Sequence, residues 1–415
     1  MPFLSNRSVL PRLGFWSLAV LGALGCGRAG IETGGQEEGI SNHRPSNPPE
    51  PPAPPTGWPQ YGHDAQRSGS TTAGPSAAPA VIWTADLPHA EHARLAIDAL
   101  GHLYVGAWGL LQAFDSNGAL RWKHEIDKGY IQGVAITTAG DVVITSQGVL
   151  EILSSAGDLL ASVPLEGGNP SRPLIGDGDR VYVVADYDGH LQAFSPHGEL
   201  LWSTSIAPGD RPLGTPAQGP DGALYVPTGS DQQHGLVKVS REGVVLWSKE
   251  IDGEFTGTYT PNSVSVRGDG TVLLAHVEAR ILAFSPEGES LFDTKLMGII
   301  KAPAAFSGSG DIHVGHAWGV SRLTPGGEEL WRVGPQVAGD DDLSIWCNIA
   351  LVSGERVVAA SLDGRVSGIA DHERLWSVER GPLGAHDSRP QPDLIVGVDG
   401  TIYTGSWTER LYAIR

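Results

Sequence analysis

The chain has little cysteine, little basic charge, no apolar run long enough for a membrane span and little helical periodicity. Each shortage excludes something. Among 415 residues only Cys26 and Cys347 are cysteines, so a disulfide-built scaffold is not expected. Lys and Arg number 28 against 47 Asp and Glu, a net charge of −19. Nucleic-acid binding wants a basic face, so it is not expected either, and an acidic balance suits a soluble surface. The apolar run at residues 13–25 is too short to span a bilayer as a helix. After residue 58 no stretch holds a long 3.6-residue apolar period, so helices should be few. No P-loop, G-x-S-x-G or paired-carboxylate pattern stands above turn chemistry.

Glycine, by contrast, is abundant: 56 of 415 residues, nearly twice the usual ~7%. It recurs inside a phrase. AFDSNGALRW, Ala113 to Trp122, is a strand end, a turn and a new strand. Asn117 and Gly118 tolerate positive φ cheaply, and Leu120 and Trp122 alternate as a strand should. The phrase returns as AFSPHGELLW at 193–202 and AFSPEGESLF at 283–292, with looser copies ending at Trp247 and Trp331. The closing position is occupied by Trp83, Trp122, Ala161, Trp202, Trp247, Phe292, Trp331 and Trp376, in steps of 39, 39, 41, 45, 45, 39 and 45 residues. Ala161 is the degenerate member. Glycine lies four residues earlier at Gly118, Gly157, Gly198, Gly243, Gly288 and Gly327, whereas the last phrase has His372 there.

Each period holds four short strands, placed in the first near 94–98, 103–107, 110–115 and 120–126. Four strands per period of about 40–45 residues is the pattern of a propeller blade. The expected fold is an all-β, eight-bladed β-propeller with four-stranded antiparallel blades. The last period stops after three strands, at LYAIR, and the segment 81–87 has no strands before it. Pairing the two removes both open edges and closes the ring.

The expected organisation is a signal peptide at 1–25, a tether at 26–57 and the propeller at 58–415. Arg7 and Arg12 precede the apolar run, which ends Ala23-Leu24-Gly25-Cys26. This resembles a bacterial lipobox, although Leu is usual where Ala23 stands and a small residue where Leu24 stands. A lipid on Cys26 is the expectation; signal cleavage nearby and an uncleaved anchor are the alternatives. Such a lipid would rule out a disulfide within the chain. Gly27 rather than Asp resembles the sorting signal for the outer membrane. The proline-rich stretch RPSNPPEPPAPPTG has no apolar spacing to bury, so a semi-extended tether is expected.

WPQYGHDAQRSGS, from Trp58, and the A-x-D-x-x-G-x-x-x-W pattern of Ala113, Asp115, Gly118 and Trp122 resemble the pyrroloquinoline-quinone-like repeat family. Within that family the signal and architecture most resemble an outer-membrane assembly lipoprotein. The resemblance implies a non-catalytic, lipid-anchored, monomeric scaffold that binds a protein partner in the cell envelope, on the periplasmic or exposed side. Alternatives are a quinone-dependent dehydrogenase relative and a surface propeller that binds carbohydrate. The dehydrogenase reading implies a quinone, a Ca²⁺ ligand set and an Asp base. No motif places them, and Cys347 has no adjacent cysteine to form the disulfide many such enzymes carry. No cofactor or metal is therefore expected.

Among residues that could carry chemistry, His313 and His316 should point to opposite faces of one strand. His89 and His92 lack further ligands in sequence. Asp340-Asp341-Asp342 reads as a solvated loop, and GDGDR at 176–180 as a turn without the EF-hand spacing. Cys347 lies in the apolar phrase SIWCNIA and should be buried. The marker tryptophans should pack between blades. The remaining pattern is a set of cations where the chain enters several of the innermost strands: Arg94, Arg172, Arg211, Lys301 and Arg389. They could meet an anionic partner or pair with local carboxylates such as Asp210 and Asp387. Phe255, Tyr259 and Trp346 complete the candidate binding face.

Overall fold

The computed structural model of the protein describes residues 57–185, 189–206, 211–212, 214–229, 234–252, 263–334, 343–380 and 392–415. Cys26, Asp210, Phe255, Tyr259, Asp340, Asp341, Asp342, Asp387 and Arg389 lie outside the described residues.

Eight antiparallel sheets follow one another along the chain. We number them as blades 1 to 8: residues 94–130, 133–164, 174–205, 211–251, 263–295, 305–333, 350–379, and 394–414 joined by Val81–Asp86. Val81–Asp86 pairs antiparallel with Arg410–Ile414, from Val81 opposite Ile414 to Asp86 opposite Arg410. Ala80 and Arg415 exchange both main-chain hydrogen bonds at 3.0 Å. The amino-terminal strand is thus the outermost strand of blade 8 and seals the ring. The helices among the described residues are two short 3₁₀ turns, Ala90–His92 and Asp177–Asp179.

Two blades depart from the expected strand pattern. In blade 1 the second and third strands run together as Leu103–Phe114. The first half pairs with Arg94–Ile97 and the second with Leu120–Tyr130, and Gly109 at φ 66° turns the chain between them. In blade 4 the innermost strand is broken into Arg211–Pro212 and Ala217–Gln218, both paired to Leu224–Gly229. Pro212 and Pro216 have no N–H to donate, so an uninterrupted ladder cannot form there.

The core lies between blades. Leu174, Tyr182 and Leu191 of blade 3 pack on Leu224, Val226 and Val237 of blade 4 in one cluster. Second strands such as Val142–Ser146 and Val272–His276 are wholly buried, whereas outermost strands such as Leu159–Pro164 show the alternation of a solvated edge.

The tryptophan and glycine registers have one physical cause. The rings of Trp83, Trp122, Trp202, Trp247 and Phe292 each lie on the last turn of the following blade, over its glycine. A Cβ on Gly118, Gly157 or Gly243 would stand 2.7 Å from the Cδ2 of Trp83, Trp122 or Trp202 respectively. The glycines also sit at φ between 83° and 94°, so both space and backbone demand them. The indole Nε1 of Trp122, Trp202 and Trp247 donates to the carbonyls of Ser155, Arg241 and Pro286 at 3.0 Å, again in the following blade. Where His372 replaces glycine, Asp371 and His372 adopt φ of 46° and 71° and the His372 ring lies against Trp331 at 5.7 Å. These tryptophans join the blades, as their spacing implied.

Candidate functional site

In each blade the innermost strand starts on the face that carries the blade-to-blade loops and ends on the face that carries the last turn. We call these the loop face and the turn face. The lead-in crosses the turn face by visiting the strand ends in order. Trp58 exchanges main-chain hydrogen bonds with Ile97 of blade 1, and Pro59 accepts from Ile136 of blade 2. The Gln60 side chain brackets Ile175 of blade 3 at 2.9 and 3.0 Å. Ala65, Gln66, Ser68 and Gly69 then accept from Gln218, Val266, Phe306 and Leu351 in blades 4 to 7. Gly74 finishes against blade 8, its carbonyl so close to Gly400 that a Cβ there would stand 2.0 Å away. Residues 58–74 are therefore a built part of the ring. They satisfy main-chain groups that the strand ends would otherwise leave bare.

From this segment Tyr61 and Arg67 project into the axis, where they meet side chains from the loop side. Arg172 of blade 3 binds Asp393 of blade 8, Nη1 to Oδ2 at 2.6 Å, and its guanidinium lies 3.9 Å from the Tyr61 ring centre. Blades 3 and 8 are not neighbours, so this ion pair spans the channel. Arg94 of blade 1 approaches the other oxygen of Asp393 at 3.8 Å, and Leu95 N donates to Oδ2 at 3.3 Å. Arg67 donates to the carbonyls of Tyr61, Pro216 and Pro173. Burial depresses Arg67 to about 9 and Arg94 to about 10, because a guanidinium out of water loses hydration. Arg172 is also desolvated, yet the charge of Asp393 holds it above its ordinary value.

The expected cation set therefore divides. Arg94 and Arg172 do converge at the axis, but on one remote carboxylate rather than on local acids or on an exposed ring. Asp393, Tyr61 and Arg67 complete that cluster, and sequence reading missed all three. The only available signal was Arg67 and Tyr61 inside the lead-in phrase. The backbone of Arg211 pairs with Gly229. Lys301, before blade 6, lies 3.9 Å over the ring of Trp346, before blade 7. Burial lowers the Lys301 ammonium, and Trp346 Nε1 donates to Ser344 at 3.1 Å.

Trp346 is one of a group. Apart from Trp16, the lead-in Trp58 and the six markers, the twelve tryptophans include Trp108, Trp318, Trp346 and Trp407. Trp108, Trp318 and Trp407 stand at or beside the turns between second and third strands of blades 1, 6 and 8, and Trp346 stands in the loop entering blade 7. All four thus lie on the loop face of consecutive blades. Trp108 is 46% exposed and packs edge-on against Tyr130 at 3.9 Å, with His89 at 5.7 Å. Met297 and Ile299 add exposed apolar surface ahead of blade 6.

The other candidates take structural roles. His313 is buried against Trp331, at the register that Tyr104, Tyr182, Tyr225 and Tyr403 hold in other blades. His316 bonds Ser321 at 2.9 Å; the pair points apart as expected. His92 lies against Tyr130. Gly178 makes a turn at φ 69°, and the Cys347 thiol is buried, 3.5 Å from the Ala360 carbonyl and pushed up to about 11 by burial. Among the described residues no group of three or more His, Cys, Asp or Glu could hold a metal ion.

A ring of eight four-stranded blades closed by the first described strand, with marker rings packed on the turns of the blades that follow them, is an eight-bladed propeller of pyrroloquinoline-quinone-like repeats. The chain belongs to the family described as outer membrane protein assembly factor BamB, which matches residues 80–298. Among solved structures it is similar to BamB from Moraxella catarrhalis, at 17% identity and a TM-score of 0.59, over 81% of this chain and 97% of that one. The computationally designed Ika8 protein is as similar, at 17% and 0.59 over 79% and 98%. A streptogramin B lyase follows at 10% and 0.51 over 80% and 97%. At these identities the likeness is one of fold, which hosts an assembly factor, a lyase and a designed protein alike. No curated protein sequence matches the chain.

Proposed function

We propose that the chain is a non-catalytic, lipid-anchored propeller that binds a protein partner in the bacterial cell envelope and serves there as an assembly scaffold. Membership in a family described as an outer-membrane assembly factor supports the setting. The observation that carries the role is the gathering of Trp108, Trp318, Trp346 and Trp407 on one face, with Lys301 stacked on Trp346. Tryptophans outside the marker register that line one face suit protein contact, where Trp, Tyr and Arg anchors dominate binding energy. In this reading Cys26 carries the lipid, residues 26–57 form the tether, and the propeller acts as a monomer at the outer membrane.

Among the described residues, the side chains that meet at the axis speak against a quinone with calcium. Among the described residues Asp393 is a carboxylate at the axis; it is bound by Arg172 and approached by Arg94, and paired guanidinium groups repel a divalent cation. Tyr61 and Arg172 are stacked on one another there. Site-specific photocrosslinking in intact membranes tests the scaffold reading. Probes at Trp318 and Trp346 should give one discrete protein adduct, and a probe at exposed Glu287 on the turn face should not. Adducts absent from both loop-face probes would overturn it, as would dye reduction on adding quinone and Ca²⁺. Loss of membrane association in Cys26→Ala is expected from the anchor.

A further inference from the structure

Each blade ends in an outermost strand whose far side has no neighbour in its sheet. Such an edge offers a row of main-chain donors and acceptors to any passing strand, and charge or proline on it is the usual protection. Seven of the eight edges carry one or the other. Asp86 guards Val81–Asp86, Arg121 and Lys123 guard Leu120–Tyr130, and Pro164 guards Leu159–Pro164. Lys249 and Glu250, Asp293 and Lys295, Glu329 and Arg332, and Glu373 and Arg374 guard blades 4 to 7. Blade 3 is the exception. Its edge, Leu200–Ser205, reads LLWSTS and has neither.

The unguarded edge has a defined chemistry. Ile206 N donates to Gly189 O, toward the neighbouring strand. By the two-residue alternation of an antiparallel ladder, Trp202 and Thr204 also face inward, and Ser203 and Ser205 turn their main-chain groups outward. Leu200 and Leu201 are 50% and 45% exposed at the start of the strand. Acid stands at both ends: Glu199 is exposed just before it, and Glu166 accepts from Ser203 Oγ at 3.0 Å.

We infer that Leu200–Ser205 is a strand-addition site for a protein partner. The partner contributes an extended segment, uncharged with apolar residues at alternate positions, and basic at its ends to meet Glu199 and Glu166. Main-chain hydrogen bonds to Ser203 and Ser205 supply the affinity, and the leucines supply apolar cover. This surface lies on the rim, apart from the loop-face tryptophans, so it extends the scaffold reading to a second contact and the two fail separately.

The test is hydrogen exchange of the full chain with and without a synthetic Val-Thr repeat peptide flanked by lysines. Slowed exchange at the Ser203 and Ser205 amides is expected. Ser205→Pro removes an outward donor while leaving the inward ladder intact, and should weaken peptide binding about tenfold, the loss of one main-chain bond. Ser205→Lys restores a charge to the edge without proline and should weaken it similarly. Leu291→Lys on the already charged blade 5 edge should change nothing. Protection at other edges, or peptide binding by both Ser205 variants as tight as by the unaltered chain, overturns the inference. So does concentration-dependent dimerisation that protects the same amides without peptide, because a second copy would then be the occupant. Loop-face crosslinks should persist in Ser205→Lys.

Discussion

Trp202→Ala tests whether the marker rings hold the ring of blades together. Trp202 is part-buried, lies over Gly243 and donates to Arg241 O at 3.0 Å in the next blade. Roughly 100 Å² of indole kept from water at ~25 cal/mol per Å² gives about 2.5 kcal/mol. The lost hydrogen bond adds ~1 kcal/mol, so the expected loss is about 3.5 kcal/mol. Urea unfolding followed by circular dichroism should show this as a lower midpoint with an unchanged slope. Gly243→Ala provides the second arm, since its Cβ would stand 2.7 Å from the Trp202 Cδ2 at φ 87°. In the Trp202→Ala background the clash with the indole disappears, and what remains is the backbone strain, on the order of 1 kcal/mol, and the close contact with Thr204 Oγ1 at 2.9 Å. The two losses should therefore be less than additive. A Trp202→Ala loss below ~1 kcal/mol, or strict additivity with Gly243→Ala, would refute the blade-joining role.

Two further outcomes follow from the axis and the core. Asp393→Asn leaves the Arg172 and Arg94 guanidinium groups facing each other across the channel. It should cost about 3 kcal/mol in urea unfolding, and much of that loss should vanish in an Arg172→Met background. His313 is held neutral, its pKa lowered to about 4 by burial and then by Arg322. Unfolded histidine titrates near 6.5, so below that pH the unfolded chain binds the extra proton. Stability is full above pH 6.5 and falls as pH drops toward 4, by roughly 2 kcal/mol at pH 5. His313→Tyr, matching the tyrosines at this register, should flatten the profile between pH 7 and 5 by that amount, as read from thermal midpoints.

Much of the architecture is legible in the sequence because each blade repeats the same local problem. The turn needs a glycine at positive φ, the preceding blade's ring needs a flat place to lie, and both requirements recur with the period. That is why Gly118 and Trp122 count blades correctly, and why His372 can replace glycine by adopting φ 71°. The closing pair was legible for a similar reason: two incomplete edges at the chain ends imply one another. At the axis Arg94 and Arg172 could be singled out, but not what they meet. Arg172 and Asp393 are 221 positions apart and share no motif, and Tyr61 and Arg67 come from a segment with no repeat to compare. Local periodicity thus determined the blade, the count and the seal. Only the closed ring, which places blades 3 and 8 across one channel and winds residues 58–74 past every strand end, decided which charges meet at the centre.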